Sequence, residues 1–75
     1  MRSVAGWVDF YRQQLADDPS WESFDRLQGD AFVRRNVDGL RALATIAHER
    51  CCRRTCDMLL ETALMIEKLG KQERL

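Results

Sequence analysis

The segment His48 to Cys56, HERCCRRTC, gathers one imidazole, three guanidinium groups and three thiols into nine residues. Side chains of these types support three kinds of chemistry. Imidazole and thiolate bind zinc or copper. A thiolate whose pKa is lowered by neighbouring cations is a nucleophile or redox centre. Guanidinium forks match the oxygens of phosphate. On a helix, His48, Cys52 and Cys56 fall at i, i+4 and i+8 on roughly one face. That set has no fourth ligand, and no CxxC pair exists, so the reading is no metal and no cofactor. Cys51 falls on an apolar seam and reads as a small hydrophobe in a close helix contact. There is no Ser-His-Asp arrangement, no phosphate-cradling glycine loop and no carboxylate pair, so the chain reads as a non-enzyme.

The charges favour phosphate. Net charge is zero over 75 residues, but it is unevenly spread. Residues 1–33 carry three arginines against six acids, whereas residues 34–54 carry six arginines against Asp38 and Glu49, and no lysine occurs before Lys68. The positive field therefore sits on one central segment. At 100° per residue, Arg34, Arg41 and His48 recur every seven residues along one flank, while Arg35, Arg50 and Arg53 lie broadly opposite the apolar seam with Gly39, Ala42 and Ile46 between them. Arg54 stands at the edge between strip and seam. From Arg35 to Arg53 such a strip would extend about 27 Å, suited to a long polyanion. Within it Glu49 and Arg53 form an i, i+4 pair.

The elements that must position these groups read as helices. Hydrophobic residues make up 45% and charged residues 32%, with one proline and four glycines, which suits a folded all-α domain spanning 1–75. Ser3 caps a first helix with Val4, Trp7, Val8, Tyr11 and Leu15 at helical spacing, ending near Asp17. Asp18 and Pro19 signal a second, short start carrying Trp21, Phe24 and Leu27; Gly29 ends it and Asp30 caps the next. From Ala31 one long central helix runs toward Gly70, with a bend expected between Thr55 and Thr62. Its seam is Val33, Val37, Leu40, Ala44, Ala47 and Cys51, at alternating spacings of four and three that fit helix packed along helix, as a core or between two copies. The aromatic residues Trp7, Tyr11, Trp21, Phe24 and Phe32 fall at core spacing. The polar end, residues 70–75, is expected to fray. The N-terminus carries Asp9 and early arginines, so it reads as neither signal nor membrane span, and the three cysteines suit a reducing cytoplasm. A domain this short is marginal alone, which favours a partner copy.

The stretch VRRNVDGLRALATIAHERCCRRTCDMLLE, Val33 to Glu61, resembles the central helix and following turn of the small RNA-silencing suppressor proteins of nodaviruses. The shared pattern is Val33 with Arg35, then Val37, Leu40 and Leu43, Thr45, His48 with Arg50 and Arg53, and Met58-Leu59-Leu60. The resemblance implies three to four helices in an antiparallel homodimeric four-helix bundle that lies along double-stranded RNA, contacting phosphates and 2′-hydroxyls independently of sequence. It implies backbone contacts from Arg35, Arg50 and Arg53, and places Leu43 and Ile46 beside the groove. The implied role is a viral suppressor that shields duplex RNA from dicing and small-RNA loading in the host cytoplasm, with host silencing proteins as further partners. An alternative reading is a helical dimerisation module whose arginine face meets an acidic partner.

Overall fold

Ser3 opens the first helix as expected: its hydroxyl accepts the Gly6 amide at 3.2 Å, and α1 runs Val4–Asp17. Pro19 forces the residue before it out of helical geometry, and Asp18 is extended (φ −145°, ψ 90°). The second start lies two residues later than the sequence suggests. Ser20 is the cap of α2, Trp21–Val33, and accepts the Ser23 amide at 3.2 Å. Asp18 supports this turn from outside, accepting from the Ser20 amide and, at 2.6 Å, from the Ser23 hydroxyl. These bonds favour its ionised form and hold its carboxyl below the usual carboxylate range. The computed structural model describes residues 2–73, with side chains through Gly70; α3 spans Val37–Glu49 and α4 spans Arg53–Glu73.

The class is all-α, and the count of four helices fits, but the long central helix is divided. Gly29, expected to end α2, lies inside it, as does Asp30. The chain turns instead at Arg35 and at Cys51, the two described non-glycine residues with positive φ, 53° and 62°. Both turns have one hydrogen-bond pattern. After α2, the Asn36 amide donates to the Ala31 carbonyl and the Arg35 amide to the Phe32 carbonyl. After α3, the Cys52 amide donates to the Ala47 carbonyl and the Cys51 amide to the His48 carbonyl. This is the paired closure that normally places glycine at the left-handed position. Asn36 then restarts the chain by capping the Gly39 amide at 2.9 Å. α4 runs unbroken through Thr55 to Thr62, and Gly70 continues it. The rest of the expected frayed end has side chains outside the described residues.

These breaks let α3 become the centre of the domain. It packs on α4, α1 and α2, burying Gly39, Leu40, Ala42, Leu43, Ala44, Ile46 and Ala47. Val8, Tyr11 and Leu15 from α1, Phe24 and Ala31 from α2, and Cys56, Leu59 and Ala63 from α4 complete the core. The seam residues Leu40, Ala44 and Ala47 are thus covered by the chain's own helices, with Val37 partly buried. Val33 is not part of this seam. It is 80% exposed, and Cys51 is exposed in the turn. Of the aromatics, Tyr11 and Phe24 are buried and Trp7 stacks on Tyr11 at 5.3 Å, but Trp21 and Phe32 are exposed. Both have the spacing of core residues, yet neither has a second layer of helix above it.

Gly39 is required by close approach. A Cβ there would stand 2.5 Å from the Asn36 side-chain nitrogen and 2.7 Å from the Tyr11 hydroxyl. Gly39→Ala is therefore expected to destabilise by about 1–2 kcal/mol, despite alanine's better helix propensity. Cys51→Gly should raise stability by about 1 kcal/mol, because it relieves a left-handed side chain. Thermal unfolding checks both signs.

Candidate nucleic-acid interface

The break at Cys51 decides where the arginines go. Arg50 caps the C-terminal end of α3, and Arg53 and Arg54 occupy the first turn of α4. That first turn contains no acid. Helix amides carry partial positive charge at an N-terminus, where acids rather than arginines are stabilising. Two guanidinium groups at that end add to the amide field, and His48, exposed on the last turn of α3, lies just before them. The combination is unfavourable for helix stability and favourable for an anion.

The acid adjacent to this turn, Glu49, is committed elsewhere. Glu49 does not pair with Arg53; it is gripped by Arg12 of α1, whose Nη2 lies 2.7 Å from each carboxylate oxygen. The same bond holds the Arg12 pKa above its usual value. Asp57 approaches Arg53 only to 3.9 Å, and the Arg53 side chain is 91% exposed. Such an exposed pair is worth little, and it leaves the arginine available to a ligand. Arg50 is held differently. Its guanidinium lies 5.0 Å from the Trp21 ring centre and 5.7 Å from that of Phe24, so two aromatic rings of α2 fix its position while its edge stays partly accessible.

The remaining members of the expected strip are elsewhere. Arg34 ends α2 and donates from Nε to Asp30 at 3.0 Å. Arg35 lies in the α2–α3 turn, at the opposite end of α3 from Arg50. Arg41 is partly buried and held between Glu67 at 2.9 Å and Asp38 at 3.9 Å. Leu43 and Ile46, placed beside a groove by the resemblance, are 0% and 5% exposed and belong to the core; Ile46 also lines a shallow depression with Arg12, Glu49 and Arg50. The continuous strip is therefore replaced by two basic turns separated by the length of α3, about 20 Å for thirteen residues. Trp21 and Arg12 also belong to the site, and no sequence pattern points to them. They approach it across 29 and 37 residues of chain, a distance no local spacing reports.

The thiols divide as well. Cys56 is buried and Cys51 exposed, while Cys52 stands half-buried just before α4, its sulfur 3.0 Å from the Thr55 hydroxyl. The Thr55 hydroxyl and amide stabilise the thiolate, with a smaller contribution from Arg54, and its pKa is lowered. Because the helix ends at Glu49 and the chain turns at Cys51, the expected i, i+4, i+8 face is not formed. No group of three or more metal-ligating side chains occurs among the described residues. No helix is long and apolar enough to cross a membrane among those residues. Comparison with known protein families, with characterised proteins and with solved structures gives no match.

The lowered pKa gives Cys52 a pH signature. Its thiolate fraction rises at lower pH than that of an ordinary thiol, so its alkylation by iodoacetamide should reach half-maximal rate below the usual cysteine range. Thr55→Val should move that midpoint upward. Site-resolved mass spectrometry across a pH series checks this; an unchanged midpoint in the variant contradicts the assigned cause.

Proposed function

We propose that the chain is a non-catalytic, sequence-independent double-stranded-RNA-binding protein that works as a homodimer, and that it acts as a viral suppressor of RNA silencing in the host cytoplasm. The observation that carries the reading is the α3–α4 turn. There Arg50, Arg53, Arg54 and His48 crowd the N-terminus of a helix with no acid in its first turn, and the adjacent Glu49 is occupied by Arg12. Arginine is suited to this task because its planar fork can span phosphate oxygens and reach 2′-hydroxyls. Contacts of that kind read the backbone and its A-form shape, not the bases.

Arg50, Arg53, Arg54 and His48 are the contact residues in this reading, with Trp21 fixing Arg50. Arg34, Arg35 and Arg41 contribute field at longer range. Occupying the duplex backbone would exclude the nucleases that dice it and the proteins that load small RNAs. Host silencing proteins would then meet a covered substrate, and no cofactor is required.

Arg53→Ala combined with Arg54→Ala tests the site cleanly, because both side chains are exposed and neither supports the core. Duplex-RNA affinity should fall roughly tenfold or more, and the slope of log K against log salt should become shallower by about one for each phosphate that is no longer neutralised. Circular dichroism should be unchanged. Intact affinity in the double variant removes the turn from the interface. Equal binding to duplex RNA, duplex DNA and single-stranded RNA removes the A-form preference, and an absence of duplex binding favours an acidic protein partner instead.

A further inference from the structure

α2 and α4 both pack on α3 and do not pack on each other. The space between them is a groove with an apolar floor. Leu40 of α3 and Leu59 of α4 lie at its base, and Phe32 and Met58, 55% and 48% exposed, stand on its two walls. Met65, 56% exposed, extends the α4 wall by two turns, because it follows Met58 at i+7. Asp25 and Phe32 have the same interval on α2. Each wall is therefore about 10 Å long. Thr62, between the two methionines, donates its hydroxyl to the Met58 carbonyl at 2.8 Å, so its polar group is satisfied within α4.

The chain's own packing leaves three features of this groove unused. Gly29 lines it from an exposed position inside α2, and a Cβ there meets nothing within 4 Å. Unlike Gly39, it is required by no internal close approach, although glycine weakens a helix. Phe32, Met58 and Met65 are exposed where a surface helix ordinarily carries polar residues. The rims are acidic: Asp25 lines the groove, Glu22 stands one turn before it on α2, and Glu61 lies between Met58 and Met65 on α4. All three acids are exposed, and none takes part in the ion pairs found among the described residues. Arg26 lies a quarter-turn around α2 from Asp25, and Lys68 lies two turns beyond Glu61.

We infer that this groove seats a basic amphipathic helix of another protein, with large apolar anchors at i, i+4 and i+7 flanked by lysine or arginine. Shape selects the helix: laid over Leu40 between α2 and α4, it adds one more neighbour to α3, and three such anchors span the two turns of each wall. Methionine walls adapt to leucine or aromatic anchors alike. Charge selects the flanks, since cations beside the anchors meet Glu22, Asp25 and Glu61. The same charges count against a second copy of this chain, because pairing two of these grooves sets acid against acid. An acid-rimmed groove also repels a phosphate backbone, so this partner and duplex RNA occupy separate surfaces. The inference does not rest on the RNA reading.

The test is fluorescence anisotropy with labelled synthetic peptides of about sixteen residues, carrying leucine, phenylalanine or tryptophan anchors and lysine flanks, each with a counterpart in which glutamate replaces lysine. At least one lysine peptide should bind, and its glutamate counterpart at least tenfold more weakly. Asp25→Lys combined with Glu61→Lys should weaken the lysine peptide at least tenfold. The same charge change on α1, Asp9→Lys with Asp17→Lys, should alter it less than twofold. Gly29→Gln, which places bulk in the groove without touching the chain's own packing, should also cost at least tenfold, with circular dichroism unchanged. The proposal is overturned if no lysine peptide binds, if the glutamate counterparts bind equally, or if the α1 variant matches the groove variant. Self-association of the wild-type chain that Met58→Glu disrupts also overturns it, because the groove then belongs to a second copy. Peptide binding without any duplex-RNA binding would leave this groove standing and sink the RNA reading alone.

Discussion

Enclosure of α3 is the constraint on which the other features depend. Seven of its thirteen residues are buried, and they cover a little more than half of its circumference, leaving Thr45, His48 and Glu49 exposed on the remaining face. Close approach of three neighbouring helices requires small residues, supplied by Gly39, Ala42, Ala44 and Ala47, while Leu40, Leu43 and Ile46 provide the apolar volume. Burying these three larger side chains contributes roughly 5–9 kcal/mol before conformational entropy is set against it. A helix enclosed in this way must end where its neighbours end. The two left-handed residues, at a cost of about 1–2 kcal/mol each, are the local penalty for folding one helical sequence back on itself twice.

The same enclosure sorts the charges. Arg41 is the one cation held along the body of α3, and it is matched there by Asp38 and Glu67. The other arginines of the segment are displaced to its ends, two before Asn36 and three after Glu49. Clamping of Glu49 by Arg12 has two effects: it ties α1 to the end of α3 and removes the nearest acid from the α3–α4 turn. Stability and the basic field are therefore linked through one ion pair. Its partners are about half exposed, so its direct contribution to stability is small; its effect on the potential of the turn is the larger consequence.

Helical class and the basic segment are legible in the sequence because both are local. Scarcity of breakers gives helices, and the arginine cluster from 50 to 54 stays together whatever the fold. The helix boundaries are less legible for a specific reason: the punctuation is inverted. Gly6, Gly29, Gly39 and Gly70 all lie inside helices, whereas the left-handed positions that glycine usually marks are filled by Arg35 and Cys51. Period alone also misplaces the faces of α3. A seam at three-four spacing is correctly apolar at Leu40, Ala44 and Ala47, but the opposite face, with Ala42 and Ile46, is buried too, and small residues there are the available sign that a helix covers it. The roles of Trp21 and Arg12 come from tertiary packing and have no counterpart in local spacing.

The most direct measurement is the change in the backbone amide NMR spectrum when duplex RNA is added to the isotopically labelled protein. The expected result is a set of shifts confined to the α3–α4 turn from His48 to Arg54, with the Trp21 indole moving alongside Arg50, while the amides of Leu40 to Ala47 stay in place because α3 remains enclosed. Shifts spread along the whole of α3, or no shifts at the turn, would contradict it.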